Sequence, residues 1–383
     1  MKKNNNRQLL EGSHAIALTI RNIKPGVVSA YPITPQTHIV EDLAKFKSDG
    51  VESYEYVRAE SEFAAASIVL GASATGARVY SATSSQGLLL MAEVLYNISG
   101  MRLPVVMTVA NRAVSAPINI WNDHSDIMGL RDAGAILLFA ENHQEAIDQH
   151  VVAYKVAEAL ALPVFINVDG YILTHSYESC EIPTSKIISK FLPKYKAKKG
   201  EFLDPKNPVT MGVFAGPKYY SDFRKDLQED LLASAKMIDK EYANWKKIFP
   251  TNAKDKGVGI DTGLIEYYGP KNPKTVIVTL GSVAGTIKQV IDDAGSKNST
   301  GLLKLRCYRP FPENAVRAAL KGVKTVIALE KTYGLGYQAP LFLDLSATLF
   351  NEKIKLASAV VGLGGQDVTE AQIAKIIKTY DKI

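Results

Sequence analysis

From Gly12 to Gly170, apolar runs of strand length alternate with runs of helical periodicity, and no other feature limits the fold of this chain as tightly. VVSAYPI precedes THIVEDLAKF, YEYVRAE precedes SEFAAASIVLGASATG, and ARVYSATS precedes QGLLLMAEVLYNISG; PVVMTVA, AILLFA with the helix after it, and PVFINVDG continue the series. Repeated βα units predict an α/β fold with a mostly parallel sheet covered by helices on both faces, because parallel strands need crossover connections. Ligands of such sheets sit at the carboxyl ends of strands, so the residues just after each strand are the ones to weigh for function.

The sharpest of these junctions runs from Ser29 to Phe46. Val27, Val28 and Tyr31 read as a buried strand, while Ile39, Val40, Leu43 and Phe46 recur at helical spacing. Thr34 is expected to cap the helix and Pro35 to occupy its first position, which suits the fixed φ of proline.

Beyond this first unit, Pro183 to Gly216 is rich in Pro and Lys, and its KYKAKK run at Lys194 to Lys199 reads as a linker. Tyr219 to Trp245 then reads as one long amphipathic helix, an extension of the first unit. The segment Asn252 to Asn272 carries Gly and Pro before a new apolar strand, TVIVTLGS. The expected division is therefore 1–262, with a core over 12–182, and 263–383. The second part repeats the alternation on a smaller scale and closes with a helix that Thr369 can cap.

Composition excludes several function classes. The 383 residues carry 45 basic and 39 acidic side chains, and no Lys/Arg block interleaved with aromatics marks a single-stranded nucleic acid site. No run approaches the ~20 apolar residues of a membrane span, and MKKNNNRQLLEGSHAIAL lacks the apolar core of a targeting peptide. Two cysteines, Cys180 and Cys307, are too few for a four-thiolate cluster of the chain's own and do not form a secreted disulfide framework. A reducing, cytoplasmic setting is expected.

The strand-to-helix junctions carry the candidate residues. Glu60 and Glu62 stand at the start of an Ala-rich helix, where a carboxylate is stabilised by the helix dipole whether or not it has another role. Thr83, Ser84, Ser85 and Gly87 lie on the next such loop, able to cap a helix or to hold an anion or cofactor edge, and Gln86 adds an amide that capping does not need. Arg112 follows PVVMTVA, where it can clamp a substrate carboxylate or pair with a nearby acid. His124 in WNDHSD has no second His at ligand spacing, so a loop network is expected there and no metal site. GLGYQA at Gly334 to Ala339 matches a dinucleotide fingerprint, but the acidic residue expected ~20 positions on is missing.

Taken together, YPITPQT at Tyr31 to Thr37, ESEFAAA at Glu60 to Ala66, GASATGARVYSATSSQGLLLM at Gly71 to Met91 and LPVVMTVANRA at Leu103 to Ala113 resemble the α subunit of 2-oxoacid:ferredoxin oxidoreductases, most closely the pyruvate enzymes. WNDHSD, YYSDFRKDL, YRPFP and GLGGQDVT extend the resemblance over nearly the whole chain. It implies a pyrimidine-binding domain for thiamine diphosphate followed by a transketolase C-terminal-like domain. In that family a glutamate at the position of Glu62 bonds N1′ of the aminopyrimidine, and Thr34 and Arg112 would meet the substrate carboxylate. Pro32, Ile33, Ser84, Ser85, Gln86 and Gly87 would line the cofactor. The family's GDG and paired-asparagine diphosphate motif is absent here; Asp-Gly occurs only at Asp49-Gly50 and Asp169-Gly170. The resemblance therefore implies a β partner bringing diphosphate, Mg2+ and a proximal 4Fe-4S cluster, γ and ferredoxin-like δ partners, ferredoxin as acceptor and coenzyme A as cosubstrate. The alternatives are a sibling enzyme for branched-chain 2-oxoacids or 2-oxoglutarate, a silent assembly subunit, or a nucleotide-binding module resting on GLGYQA.

Overall fold

The computed structural model describes residues 7–51, 54–251, 258–295 and 299–381. The first six residues of the N-terminal segment and 252–257 of the boundary segment lie outside them.

The first unit runs β1 (Gln8–Glu11), α1 (Gly12–Ile23), β2 (Val27–Ala30), α2 (Thr37–Ser48), β3 (Glu55–Arg58), α3 (Glu62–Ala74), β4 (Val79–Thr83), α4 (Ser85–Leu90) and α5 (Ala92–Gly100). It continues through β5 (Val106–Asn111), α6 (Ser125–Met128), β6 (Ile136–Phe139), α7 (His143–Leu160), β7 (Val164–Asp169), β8 (Tyr177–Cys180), α8 (Ser185–Phe191) and α9 (Pro217–Ile248). Strands β6-β7-β5-β4-β2-β3 lie parallel in that order, as the alternation predicts. Every residue of β4, β5 and β7 is buried, which explains their unbroken apolar character, whereas β3 at the edge is largely exposed.

Local chemistry fixes the helices. Ser61 caps α3 by accepting the Ala64 N–H at 3.1 Å, and the small side chains that follow bury Ala65, Ala66 and Val69 against the sheet. Asn142 caps α7 by accepting the Glu145 N–H at 2.9 Å. The C-terminal half of α9 docks on α7 through the fully buried Trp245, whose indole N–H donates to Asp148 at 2.8 Å, so the long helix is an extension of this unit as expected.

The junction at Thr34 departs from its reading. Gln36 N–H closes a turn on the Ile33 carbonyl at 2.9 Å, the Thr34–Pro35 peptide is cis, and α2 begins only at Thr37. Thr34 therefore caps nothing, and Pro35 belongs to the turn. Tyr31 has already left β2 and is exposed, so the buried strand stops at Ala30.

The second unit contains β9 (Val258–Asp261), β10 (Ile265–Tyr268), β11 (Thr275–Thr279), α10 (Val283–Ala294), β12 (Thr300–Leu305), β13 (Cys307–Arg309), α11 (Glu313–Ala319), β14 (Thr325–Glu330), α12 (Pro340–Thr348), β15 (Lys355–Val360) and α13 (Glu370–Asp381). Its sheet runs β15-β14-β11-β12-β10-β9, with β10 antiparallel both to β12 and to its hairpin partner β9. The line drawn at 262/263 falls inside that hairpin. Glu266 hides the strand in the sequence, since a carboxylate there reads as surface until Lys304 and Arg306 are seen to bury it. Strand β13 crosses back to pair antiparallel with β6, so the two units share a sheet and one apolar core. Thr369 caps α13 as expected, accepting the Gln372 N–H at 3.2 Å. No helix among the described residues is long and apolar enough to cross a membrane.

Candidate active site

Four chain segments converge at the carboxyl end of the first sheet: the Tyr31–Thr37 loop, the start of α3, the β4–α4 corner and the end of β5. Glu62 opens α3, is 8% exposed, and its carboxylate has no hydrogen-bond partner among the described residues. It lies against Gly87, where an added Cβ would stand 2.6 Å from Glu62 Oε1 and 2.7 Å from Thr83 Oγ1. Glycine is thus required for α4 and α3 to approach so closely. Glu60 is exposed and precedes the Ser61 cap.

The β4–α4 corner is not a set of helix caps. Ser84 makes no capping bond, and its hydroxyl, like that of Thr83, is buried without a hydrogen-bond partner. Ser85 adopts a left-handed φ of 47° and points its hydroxyl at the Ala113 carbonyl (2.6 Å) and Gln86 Oε1 (2.5 Å). Such a non-glycine conformation persists only when its surroundings hold it.

Arg112 follows β5 and donates to the Thr34 carbonyl at 2.8 Å, the Asn119 carbonyl at 3.2 Å and Gln86 Oε1 at 3.2 Å. It has no salt-bridge carboxylate among the described residues, so the ordinary ion-pair reading fails. Burial lowers its pKa, against the fields of Asp126, Tyr171 and Glu62. Because guanidinium only donates, it forces the Gln86 amide to present oxygen, leaving the buried Gln86 Nε2 without an acceptor. Thr34 and Ile33 are half-buried and Pro32 is exposed on the same loop. Gln36 fastens that loop to the sheet, donating from Nε2 to Tyr31 O at 2.8 Å and Ala82 O at 3.4 Å.

Sequence reasoning missed the residue that ties these segments together. The fully buried Asp126 accepts the N–H groups of Ser85 (3.0 Å) and Arg112 (3.0 Å) on one oxygen, and Asn111 Nδ2 (3.1 Å) and Ile127 N–H (2.7 Å) on the other. Burial pushes its carboxyl up to about 6 despite those donors. WNDHSD was visible as a polar cluster, but which acid mattered depended on the fold. His124 lies in the loop network that was expected, its Nε2 2.7 Å from Asp169 Oδ1. Asp169 also receives Lys331 Nζ at 2.8 Å, Ser282 N–H at 3.1 Å and the Ser282 hydroxyl, joining the two units. Burial would raise this carboxyl, yet Lys331 and His124 hold it well below the usual range.

Gly170, next to Asp169, leaves no room for a side chain: a Cβ would lie 2.5 Å from Asn111 O and 2.7 Å from Pro35 Cγ. At GLGYQA the helix terminus that a dinucleotide would need is taken. Glu330 accepts the N–H groups of Leu341 (2.9 Å) and Phe342 (3.1 Å) at the start of α12, which removes the nucleotide-module reading.

Comparison with known proteins shows the family to which the chain belongs. Residues 19–243 match the family described as pyruvate flavodoxin/ferredoxin oxidoreductase, thiamine diP-bdg, and residues 274–373 match pyruvate:ferredoxin oxidoreductase core domain II. The chain belongs to this family. It is 43% identical to "Pyruvate synthase subunit PorA" of Methanosarcina barkeri over 98% of this chain and 92% of the relative. The corresponding Methanocaldococcus jannaschii protein is 42% identical, over 98% and 95%. "Ketoisovalerate oxidoreductase subunit VorA" of Pyrococcus horikoshii is 34% identical over 100% of this chain and 96% of its own. The fold is similar to 2-oxoglutarate:ferredoxin oxidoreductase from Magnetococcus marinus, with a TM-score of 0.71 at 20% identity, over 99% of this chain and 66% of that one.

Proposed function

We propose that this chain is the α-type subunit of a thiamine diphosphate-dependent 2-oxoacid:ferredoxin oxidoreductase converting pyruvate, coenzyme A and oxidised ferredoxin into acetyl-CoA, carbon dioxide and reduced ferredoxin. The observation that carries it is a buried carboxylate, Glu62, without a hydrogen-bond partner among the described residues, set against Gly87 and within the field of the Arg112 guanidinium, which has no salt-bridge carboxylate among those residues. The orphaned Thr83 and Ser84 hydroxyls and the Gln86 amide suit a polar heterocycle with several donors and acceptors. An assembly-only subunit would need none of them.

Thiamine diphosphate, when bound, supplies the carbanion-stabilising chemistry of decarboxylation. Glu62 would hydrogen-bond N1′ of its aminopyrimidine, while Pro32, Ile33 and Ser84 to Gly87 would line its edge. Arg112 binds the substrate carboxylate with donors its three present bonds leave unused, and Thr34 shares that contact. Asp126 positions Arg112 and Ser85 from behind.

The first unit, through α9, forms the pyrimidine-binding part of this proposal, and the second, from β9 onward, the transketolase C-terminal-like part. A β partner brings the diphosphate, Mg2+ and proximal 4Fe-4S site, with γ and δ partners and ferredoxin completing the electron path in the cytoplasm. The two cysteines of this chain are buried and free, which supports placing the clusters elsewhere. Identities of 43% and 42% to pyruvate synthase subunits against 34% to the ketoisovalerate subunit favour pyruvate.

Co-purification with partner subunits tests the reading. The complex, assayed with coenzyme A and ferredoxin, is expected to show its highest kcat/KM with pyruvate, and the isolated chain none. A preference for 2-oxoisovalerate or 2-oxoglutarate, or activity without partners, contradicts it.

A further inference from the structure

Three side chains with no part in the function above meet beside the start of α2. Glu11 ends β1, His38 lies in the first turn of α2, and His175 lies between β7 and β8. One ligand-capable atom of each falls within 4.8 Å of the others, although the residues are remote in sequence. His38 Nδ1 stands 2.6 Å from Glu11 Oε1, and the two imidazole rings lie 4.6 Å apart with a tilt of 38°.

The surroundings favour a cation. Glu11 and His38 line an open groove of about 390 Å³ whose other titratable walls include Glu41, Asp42 and His14, with no Lys or Arg lining it among the described residues. Clustered carboxylates of one sign raise the local concentration of cations. His14 is already engaged, its Nδ1 2.7 Å from Asp42 Oδ2, so it is a neighbour and not a ligand. His175 Nδ1 lies 2.7 Å from Thr174 Oγ1, which is itself fixed by accepting the Tyr171 N–H at 2.8 Å. A hydrogen bond on one ring nitrogen is how metal-bound imidazoles are usually oriented, and it leaves His175 Nε2 for an ion.

We propose that Glu11, His38 and His175 bind one divalent transition-metal ion of the Zn2+ class, with water completing the coordination. Two imidazoles and a carboxylate suit Zn2+, Co2+ or Ni2+ better than Mg2+ or Ca2+, which prefer all-oxygen shells. Ligands at ~2.0–2.2 Å from one ion stand roughly 3.4 Å apart, so the 2.6 Å Glu11–His38 pair must open and the wider separations close, within reach of rotamer adjustment by the half-exposed His38. The ion would pin the start of α2, four residues after Thr34, to the loop leaving β7.

The test uses the full-length chain stripped with a chelator, then titrated with Co2+ followed by visible absorption and with Zn2+ followed by calorimetry. The expected result is one equivalent bound, ligand-field bands of a four- or five-coordinate site, and a rise in Tm with Zn2+. His38→Ala with His175→Ala should weaken Zn2+ binding at least ~10-fold and abolish the bands, as should the near-isosteric Glu11→Gln in weaker form; His14→Ala should change neither. Circular dichroism checks that each variant folds. Absence of saturable binding in the native chain, or one-equivalent binding that survives the double variant, overturns the site.

Discussion

The carboxyl-end corner of the first sheet and the ionic junction between the two units both bury charge, but only one of them is complete. At the junction Lys304 Nζ meets Glu145 Oε1 at 3.1 Å, Glu266 Oε2 at 2.9 Å and Glu141 more closely still. Lys288 Nζ meets Glu141 Oε2 at 2.8 Å and Glu266 Oε1 at 2.6 Å, and Arg306 contacts Glu145, Glu266 and Asp261. Burial would raise Glu145, but Lys304 and Arg306 bring it down to about 2. Each cation has at least two anionic neighbours, which is what offsets the desolvation of buried charge. At the corner Thr83, Ser84 and Gln86 keep buried polar atoms without partners among the described residues. The junction is paired within the chain; the corner leaves polar atoms unpaired among the described residues.

Breaking each region should therefore give opposite signatures. Lys304→Met leaves three buried carboxylates short of a cation and should cost about 3–5 kcal/mol, seen as a large loss in denaturant midpoint. Resistance to that substitution would mean the junction is ornamental. Arg112→Ala should act instead on substrate, raising KM for the oxoacid roughly 10- to 100-fold with kcat less affected. An unchanged KM would remove Arg112 from the substrate site. Asp126→Asn keeps one acceptor oxygen where two now serve four donors, so it should destabilise by about 1–3 kcal/mol and raise KM by loosening Ser85 and Arg112.

The smallest effect is in pH dependence, and its sign differs between the regions. Asp126 is raised from 3.8 to about 6, so the folded chain holds a proton the unfolded chain has lost, and its contribution to stability falls as pH rises across that window. Glu145 is lowered from 4.5 to about 2, so its contribution is present above 4.5 and is lost as pH falls through that range. Subtracting the Tm profile of Asp126→Asn from that of the native chain should isolate the first slope. A flat difference between pH 4 and 6 would contradict it.

Much of the fold was legible because its strands are short, apolar and regularly followed by helices; α3, α9 and the order of βα units needed nothing else. The β9–β10 hairpin was not, because Glu266 reads as surface until the cations from β12 are in place. For the site, motifs led to Glu62, Arg112 and the β4–α4 corner. Local propensity misled at Thr34, where Thr-Pro before a helical run suggests a cap, while the Gln36 turn delays the helix. Asp126, Gln36 and Asp169 were hidden for a different reason: their partners come from distant segments, and a polar residue's role is set by whom it meets.

Glu62→Gln in the assembled complex separates a finished region from an unfinished one most directly. It exchanges a carboxylate with no hydrogen-bond partner among the described residues for an isosteric amide, so Tm and assembly should not change. Turnover with pyruvate should fall ~100-fold or more, the scale of a lost acid–base group. Near-normal turnover with the same Tm would contradict the placing of Glu62 at the heart of a thiamine site.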